Sequence, residues 1–168
     1  MPLSTKIVVR IEADLTNALD LNTVTYPLRV KKEYTWASGT GASQADTIWT
    51  DTRTLTASST EDLDLAGTLT NALGTTVTFA EVAAIYIFAA DANTNNVQVG
   101  GAASNQFINW VANNSDIVNI RPGGMMLLVA PDSTAYAVTA GTGDLLKIAN
   151  SAGSTSVTYD IVIIGRSA

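Results

Sequence analysis

The chain has 168 residues, 46% of them hydrophobic, and it contains neither histidine nor cysteine. That composition closes Ser-His-Asp and Cys-His nucleophile systems, Cys/His zinc sites and disulfides within one chain, so stability rests on packing and strand pairing. The net charge of −6 opposes binding to nucleic acid, because there is no basic excess to release the counterions condensed on a phosphate backbone.

In chain order, Met1 to Thr5 lead into Lys6-Ile7-Val8-Val9-Arg10, where Arg10 ends the apolar run after three residues. A secretion signal has a longer apolar stretch, and no run here nears the roughly 18 to 20 residues that cross a bilayer. The expectation is a soluble product, made in the cytoplasm, without a membrane partner. Val9, Ile11, Ala13 and Leu15 then alternate with Arg10, Glu12 and Asp14. Leu28, Val30, Tyr34 and Trp36 alternate with Arg29, Lys31, Glu33 and Thr35 in the same way. Each tract predicts a strand with one wet face. Further alternation runs from Trp49 to Ala57, through Asp62-Leu63-Asp64-Leu65, and through Thr76 to Phe79. Asp144 to Asn150 fits either a short helical turn or a strand.

Val82 to Ala90, Met125 to Ala130 and Ile161 to Ile164 are continuously apolar instead. A strand apolar on both faces is covered on both, either by loops or a further layer of its own chain or by another subunit. Three such strands are hard to cover twice within one small sandwich, which favours the second explanation. Turn chemistry at Gly39-Thr-Gly41, Asn93 to Asn96, Gly100-Gly101, Pro122-Gly123-Gly124, Gly141-Thr-Gly143 and Ser151-Ala-Gly153 separates the strand-like runs. The prediction is an all-β fold, a jelly-roll-like two-sheet sandwich of about eight to ten short strands. Residues 1–21 are expected as an N-terminal arm or edge strand, and 22–168 as one sandwich domain.

Charge is unevenly spread. Thr54 to Ile120 contains no basic residue but holds Glu61, Asp62, Asp64, Glu81, Asp91 and Asp116, an acidic face suited to solubility or to a basic partner surface. Asp91-Ala-Asn93-Thr-Asn95 imitates the opening of a calcium loop, but position six is Asn96 rather than glycine and position twelve is Ala102 rather than glutamate. A polar turn is the better reading. Asp62 and Asp64 share one strand face, poorly placed to flank a sugar as a glycosidase pair requires. Trp36, Trp49 and Trp110 raise the possibility of sugar stacking, yet the parity of Trp36 with Tyr34 and of Trp49 with Leu55 points to core or interface positions. Thr50, Thr52, Thr54 and Thr56 form a hydroxyl row that strand propensity accounts for. The sequon at Asn113-Asn114-Ser115 carries no weight without a secretion signal. No phosphate-binding glycine loop or nucleophile elbow occurs in the chain. Catalytic, cofactor and metal residues are all read as none, and the chain as not an enzyme.

From about Phe79 onward, the succession Ala84-Ile-Tyr-Ile, Asn96-Val-Gln-Val-Gly-Gly, Arg121-Pro-Gly-Gly-Met-Met-Leu-Leu-Val-Ala-Pro, Tyr136-Ala-Val-Thr-Ala-Gly and Tyr159-Asp-Ile-Val-Ile-Ile-Gly-Arg resembles small β-sandwich virion structural proteins of tailed bacteriophages. The resemblance implies a capsid decoration or cement protein on the virion surface, made in the host bacterial cytoplasm. Its partners would be the major capsid protein and itself, as a homodimer or homotrimer, with no cofactor. Tail or neck components and carbohydrate- or receptor-binding modules are the alternatives. Arg29, Lys31, Lys32, Trp36 and Trp49 are the expected contact surface, since arginine and aromatic residues are enriched at interfaces.

Overall fold

Short alternating runs separated by turn residues become thirteen strands and no helix in the computed structural model, which describes residues 2–168. In order they are β1 (Thr5–Ala18), β2 (Thr23–Trp36), β3 (Thr47–Leu55), β4 (Thr60–Asp64), β5 (Leu69–Thr70), β6 (Thr76–Val77), β7 (Glu81–Ala89), β8 (Val97–Gly100), β9 (Ile117–Ile120), β10 (Met125–Val129), β11 (Tyr136–Ala137), β12 (Leu145–Asn150) and β13 (Val157–Arg166). Eight of them build two four-stranded antiparallel sheets, ordered β10-β7-β13-β3 and β4-β12-β8-β9, and β11 adds to the end of β7. Along the chain these eight fall in the first, second, first, second, second, first, second and first sheet. That is jelly-roll connectivity.

The two inner faces make the core. Trp49 and Leu55 of β3, Ile85 and Ile87 of β7 and Val157, Tyr159, Ile161 and Ile163 of β13 meet Leu63, Val97, Val99, Ile120, Leu146 and Ile148 of the other sheet. Each large aliphatic side chain fully buried here contributes about 1.5 to 3 kcal/mol. Of residues Asp144 to Asn150, all but Asp144 resolve as strand β12, because Leu146 and Ile148 turn inward and both edges are paired, to β4 and to β8.

Polar side chains stitch the edges. The Tyr159 hydroxyl donates to Glu61 Oε1 at 2.7 Å, and Arg53 Nε donates to Glu61 Oε2 at 2.6 Å. Burial, reinforced by the Glu61 carboxylate, pushes the Tyr159 phenol well above its usual range, while hydrogen bonding to Glu61 raises Arg53. Arg166 is fully buried: its guanidinium donates to Glu81 Oε2 at 2.6 Å, Asp132 O at 2.7 Å and Gln44 O at 3.1 Å, so the charge is paired and hydrogen-bonded.

Two glycines answer specific geometric demands. In the turn Arg121 to Gly124, Gly123 takes φ 72° after Pro122, and Gly124 N–H donates to Arg121 O at 2.8 Å, the pattern of a type II turn. Gly165 sits where the β13–β7 register shifts, and a Cβ there would collide with the Glu81 carbonyl and the Phe79 ring.

β1 and β2 pair only with each other. Their register runs from Thr5↔Trp36 to Ala18↔Thr23, and Leu19 N–H donates to Asn22 O at 2.7 Å across the turn. The arm is therefore a hairpin. Residues 1–21 supply one strand, and the other comes from the beginning of the segment 22–168. Fourteen residues per strand make a ribbon about 45 Å long.

Gly165→Ala is expected to lower the urea unfolding free energy by about 2 to 3 kcal/mol, since neither the Glu81 backbone nor the packed Phe79 ring can give way. Tyr159→Phe is expected to cost about 1 to 2 kcal/mol by removing a donor from half-buried Glu61. Both should shift the denaturation midpoint at unchanged slope.

Candidate assembly surface

Opposed residues of an antiparallel pair share a face, so the register divides the arm into two sides. One side carries Lys6, Arg10, Glu12 and Asp14 of β1 with Arg29, Lys31 and Glu33 of β2. Its charges are joined along and across the strands: Glu33 is held by Lys6 and Lys31, both at 2.9 Å, Asp14 by Arg29 at 2.6 Å, and Glu12 by Arg10 at 2.5 Å and Arg29 at 3.6 Å. Hydrogen bonds from Lys31 first, and then Lys6, lower the Glu33 carboxyl to about 2. These pairs are exposed and individually weak. Together they leave the wet side close to neutral.

The other side is dry. Ile7, Val9, Ile11, Ala13 and Leu15 lie opposite Tyr34, Lys32, Val30, Leu28 and Tyr26, and Lys32 is the single charged side chain among them. Its ammonium sits 5.1 Å from the centre of the Tyr34 ring, an arrangement that softens the charge.

At the arm's root this dry side is seated on the body. Trp36, Ala45, Ala83, Ala84 and Ile164 form a small second core, with Leu3, Ile7, Tyr34, Val129 and Val162 packed around it. Tyr34 and Trp36 meet edge to face, their ring centroids 6.3 Å apart. Beyond the root the arm leaves the sheet, and a groove of about 550 Å³ opens between Ile7 and Val9 on one wall and Tyr86, Leu127, Val162 and Met125 on the other. Further out, Ile11, Leu15, Val24, Tyr26, Leu28 and Val30 are 43 to 72% exposed, and Leu21 at the tip is fully exposed.

The three continuously apolar tracts are thereby located. They are β7, β10 and β13, adjacent in one sheet, and their outer side chains align in rungs: Val129, Ala84 and Ile164, then Leu127, Tyr86 and Val162, then Met125, Phe88 and Asp160. The arm root covers the first rung, while the second and third remain partly or fully open. Toward β3 the same face turns hydroxylic, as Thr52 Oγ1 donates to Asp160 Oδ1 at 2.6 Å and Thr54 pairs with Thr158 at 3.0 Å.

The expected contact residues fall in three places. Arg29 and Lys31 lie on the wet side of the arm, engaged with Asp14 and Glu33, and Lys32 is on the dry side. Trp36 is 2% exposed at the arm root, and Trp49 is 2% exposed in the main core, its Nε1–H donating to Thr70 O at 3.2 Å. The two tryptophans thus contribute packing within the protomer; Trp36 shares the dry side of β2 with Lys32, the two flanking Tyr34, while Trp49 lies apart in the main core. Trp110 is half-buried and donates to Phe107 O at 2.9 Å.

The carboxylate group on β4 divides. Glu61 turns inward to Arg53 and Tyr159, while Asp62 and Asp64 share the outer side, where Asp64 Oδ1 accepts from Ala66 N–H at 2.9 Å. In the Asx-rich loop, Asn93 makes two 2.8 Å bonds with the Thr158 backbone, and Asn95 donates to Asn150 Oδ1 and Thr155 O, both at 3.0 Å. Those amides hold the loop to β13 and its preceding turn. Among the described residues, no group of three or more Asp or Glu side chains is placed to hold a metal ion, and no helix is long and apolar enough to cross a membrane.

Sequence reasoning found both strands of the arm and missed that they pair only with each other. The available signal was two alternating tracts of equal length joined by Leu19-Asp20-Leu21-Asn22, a four-residue connection that antiparallel neighbours require. Comparison with protein-family profiles, with curated proteins and with solved structures finds no match.

The wet side makes a measurable acid signature. Because the folded Glu33 value lies below the ordinary 4.5, the unfolded chain binds more protons between about 4.5 and 2. Its contribution is therefore complete above 4.5 and is lost as pH falls through about 2. Carboxyl NMR titration should place the Glu33 midpoint near 2, and Lys6→Ala with Lys31→Ala should return it toward 4.5.

Proposed function

We propose that this chain is a non-enzymatic virion structural protein of a tailed bacteriophage, a capsid decoration or cement protein that self-associates and binds the assembled shell. The observation that carries the reading is the hairpin arm. It is a long ribbon with one self-neutralised side and one uncovered apolar side, rooted on a rigid sandwich, and such a part gains stability only when another molecule meets it. The strand-and-turn succession from Phe79 to Arg166 supports the same reading through its resemblance to virion β-sandwich proteins. The acidic Thr54 to Ile120 stretch favours protein partners over packaged nucleic acid.

The mechanism is mass action. A protein that binds the assembled shell and not its free subunits lowers the free energy of the assembled state, and repeated copies on a symmetric lattice add their contributions. The major capsid protein is the partner, and the outer surface of the particle is the location. A tail or neck component is the second reading, separated by copy number.

Purified protein mixed with undecorated shells should co-sediment to saturation at on the order of hundreds of copies per particle and raise the shell's thermal transition. Saturation at a few to dozens of copies would move the assignment to the tail or neck. No co-sedimentation at any ratio would remove the decoration reading.

A further inference from the structure

We infer that the dry side of the arm is covered by the same side of a second copy of this chain, so that two hairpins stack face to face. The inference deepens the assembly reading, on which it rests for the premise that the arm is a contact element.

Four observations select this occupant. The first is extent. Ile11, Leu15, Val24, Tyr26, Leu28 and Val30 are each at least 43% exposed, and covering them completely on two copies would remove at most about 1,400 Å² from water, which reaches the roughly 1,200 to 2,000 Å² of a stable interface. The second is shape. The opposed pair Ala13↔Leu28 lies between the bulkier pairs Ile11↔Val30 and Leu15↔Tyr26. Ala13 thus leaves a hollow flanked by larger side chains, and a ribbon with the same relief, turned by a two-fold axis, can place its bulk there.

The third is charge. The four cations of the wet side are matched by three carboxylates within hydrogen-bonding or ion-pair reach. An anionic lipid surface or a nucleic acid would find no free cationic cluster there. The fourth is precedent within the protomer. The dry side already seats Ile7, Tyr34 and Trp36 against the apolar face of a sheet, and a second hairpin presents the same kind of surface at the same length. Two ribbons packed in this way would lie about 10 Å apart, as sheets do.

Light scattering on the eluting full-length protein, from about 1 to 100 μM, tests this directly. The wild type should show twice the monomer mass or a closed multiple of it. Leu15→Asp with Tyr26→Asp, an opposed pair on the dry side, should weaken association roughly 100-fold or more while the sandwich unfolds at the wild-type midpoint. Thr16→Asp on the wet side should leave the mass unchanged. If the double aspartate variant misfolds, Ile11→Lys with Val30→Glu places a compatible charge pair across the same side, and it too should yield monomers. A wild type that remains monomeric throughout, or a folded dry-side variant with unaltered mass, overturns the inference. Failure to bind shells would remove the decoration reading and leave this one standing, whereas a monomeric wild type would remove this one, together with the self-association in that reading, and leave sedimentation to decide shell binding.

Discussion

The pairing of β13 on both of its edges is the constraint on which the rest of the molecule depends. It holds β3 on one side and β7 on the other, and Val157, Tyr159, Ile161 and Ile163 supply the deepest part of the core. Because side chains alternate, the same strand sets Val162 and Ile164 on the opposite face, where the arm root lands. A register slip of one residue would exchange these sets and destroy the core and the arm's seat together. The register shift at Gly165 and the buried Arg166–Glu81 pair end the ladder at a defined place.

The arm is stabilised unequally along its length. At the root, Trp36 and Tyr34 pack on the body, but most of the ribbon holds together by cross-strand contacts and surface ion pairs alone. A two-stranded hairpin without a third strand or a covering layer is marginal in water. The conflict between a well-formed hairpin and an uncovered apolar side is therefore local to residues 11–30, and it disappears when a second layer is supplied. The inner faces of the body make no such demand, since its eight main strands cover one another across the sandwich, and only the outer rungs of β7, β10 and β13 beside the arm stay partly open.

Much of this architecture was legible in the residues. Period-two alternation located β1, β2 and β3, because each has one side polar enough to stand out against the other. Parity also placed Trp36 with Tyr34 and Trp49 with Leu55. Asp144 to Asn150 was ambiguous for a physical reason: a strand nearly apolar on both sides loses the alternation that distinguishes it from a helical turn. The two-residue strands β5 and β11 are too short to carry a pattern, whereas β6 lies within the alternating tract Thr76 to Phe79. Arg166 looks like a polar stop after an apolar run, and the groups that bury it come from Gln44, Glu81 and Asp132, far apart in sequence. Alternation reveals that the two sides of the arm differ, but it does not say whether the apolar one is covered.

The order of strands along the chain has a consequence for synthesis. The hairpin closes over four residues, and its strand pairing lies wholly within Thr5 to Trp36. The first sheet of the body, in contrast, takes its second-to-last position in order from the final strand, so β3 and β7 wait for residues 157–166 before they are joined. Local pairing is fast and long-range pairing slow. On a translating ribosome the two strands of the arm are therefore free to pair while the sandwich is still open, but the seat of their root on Ala84, Val162 and Ile164 forms only once β13 has closed the sheet, so the arm is the first part to pair and the last to be anchored.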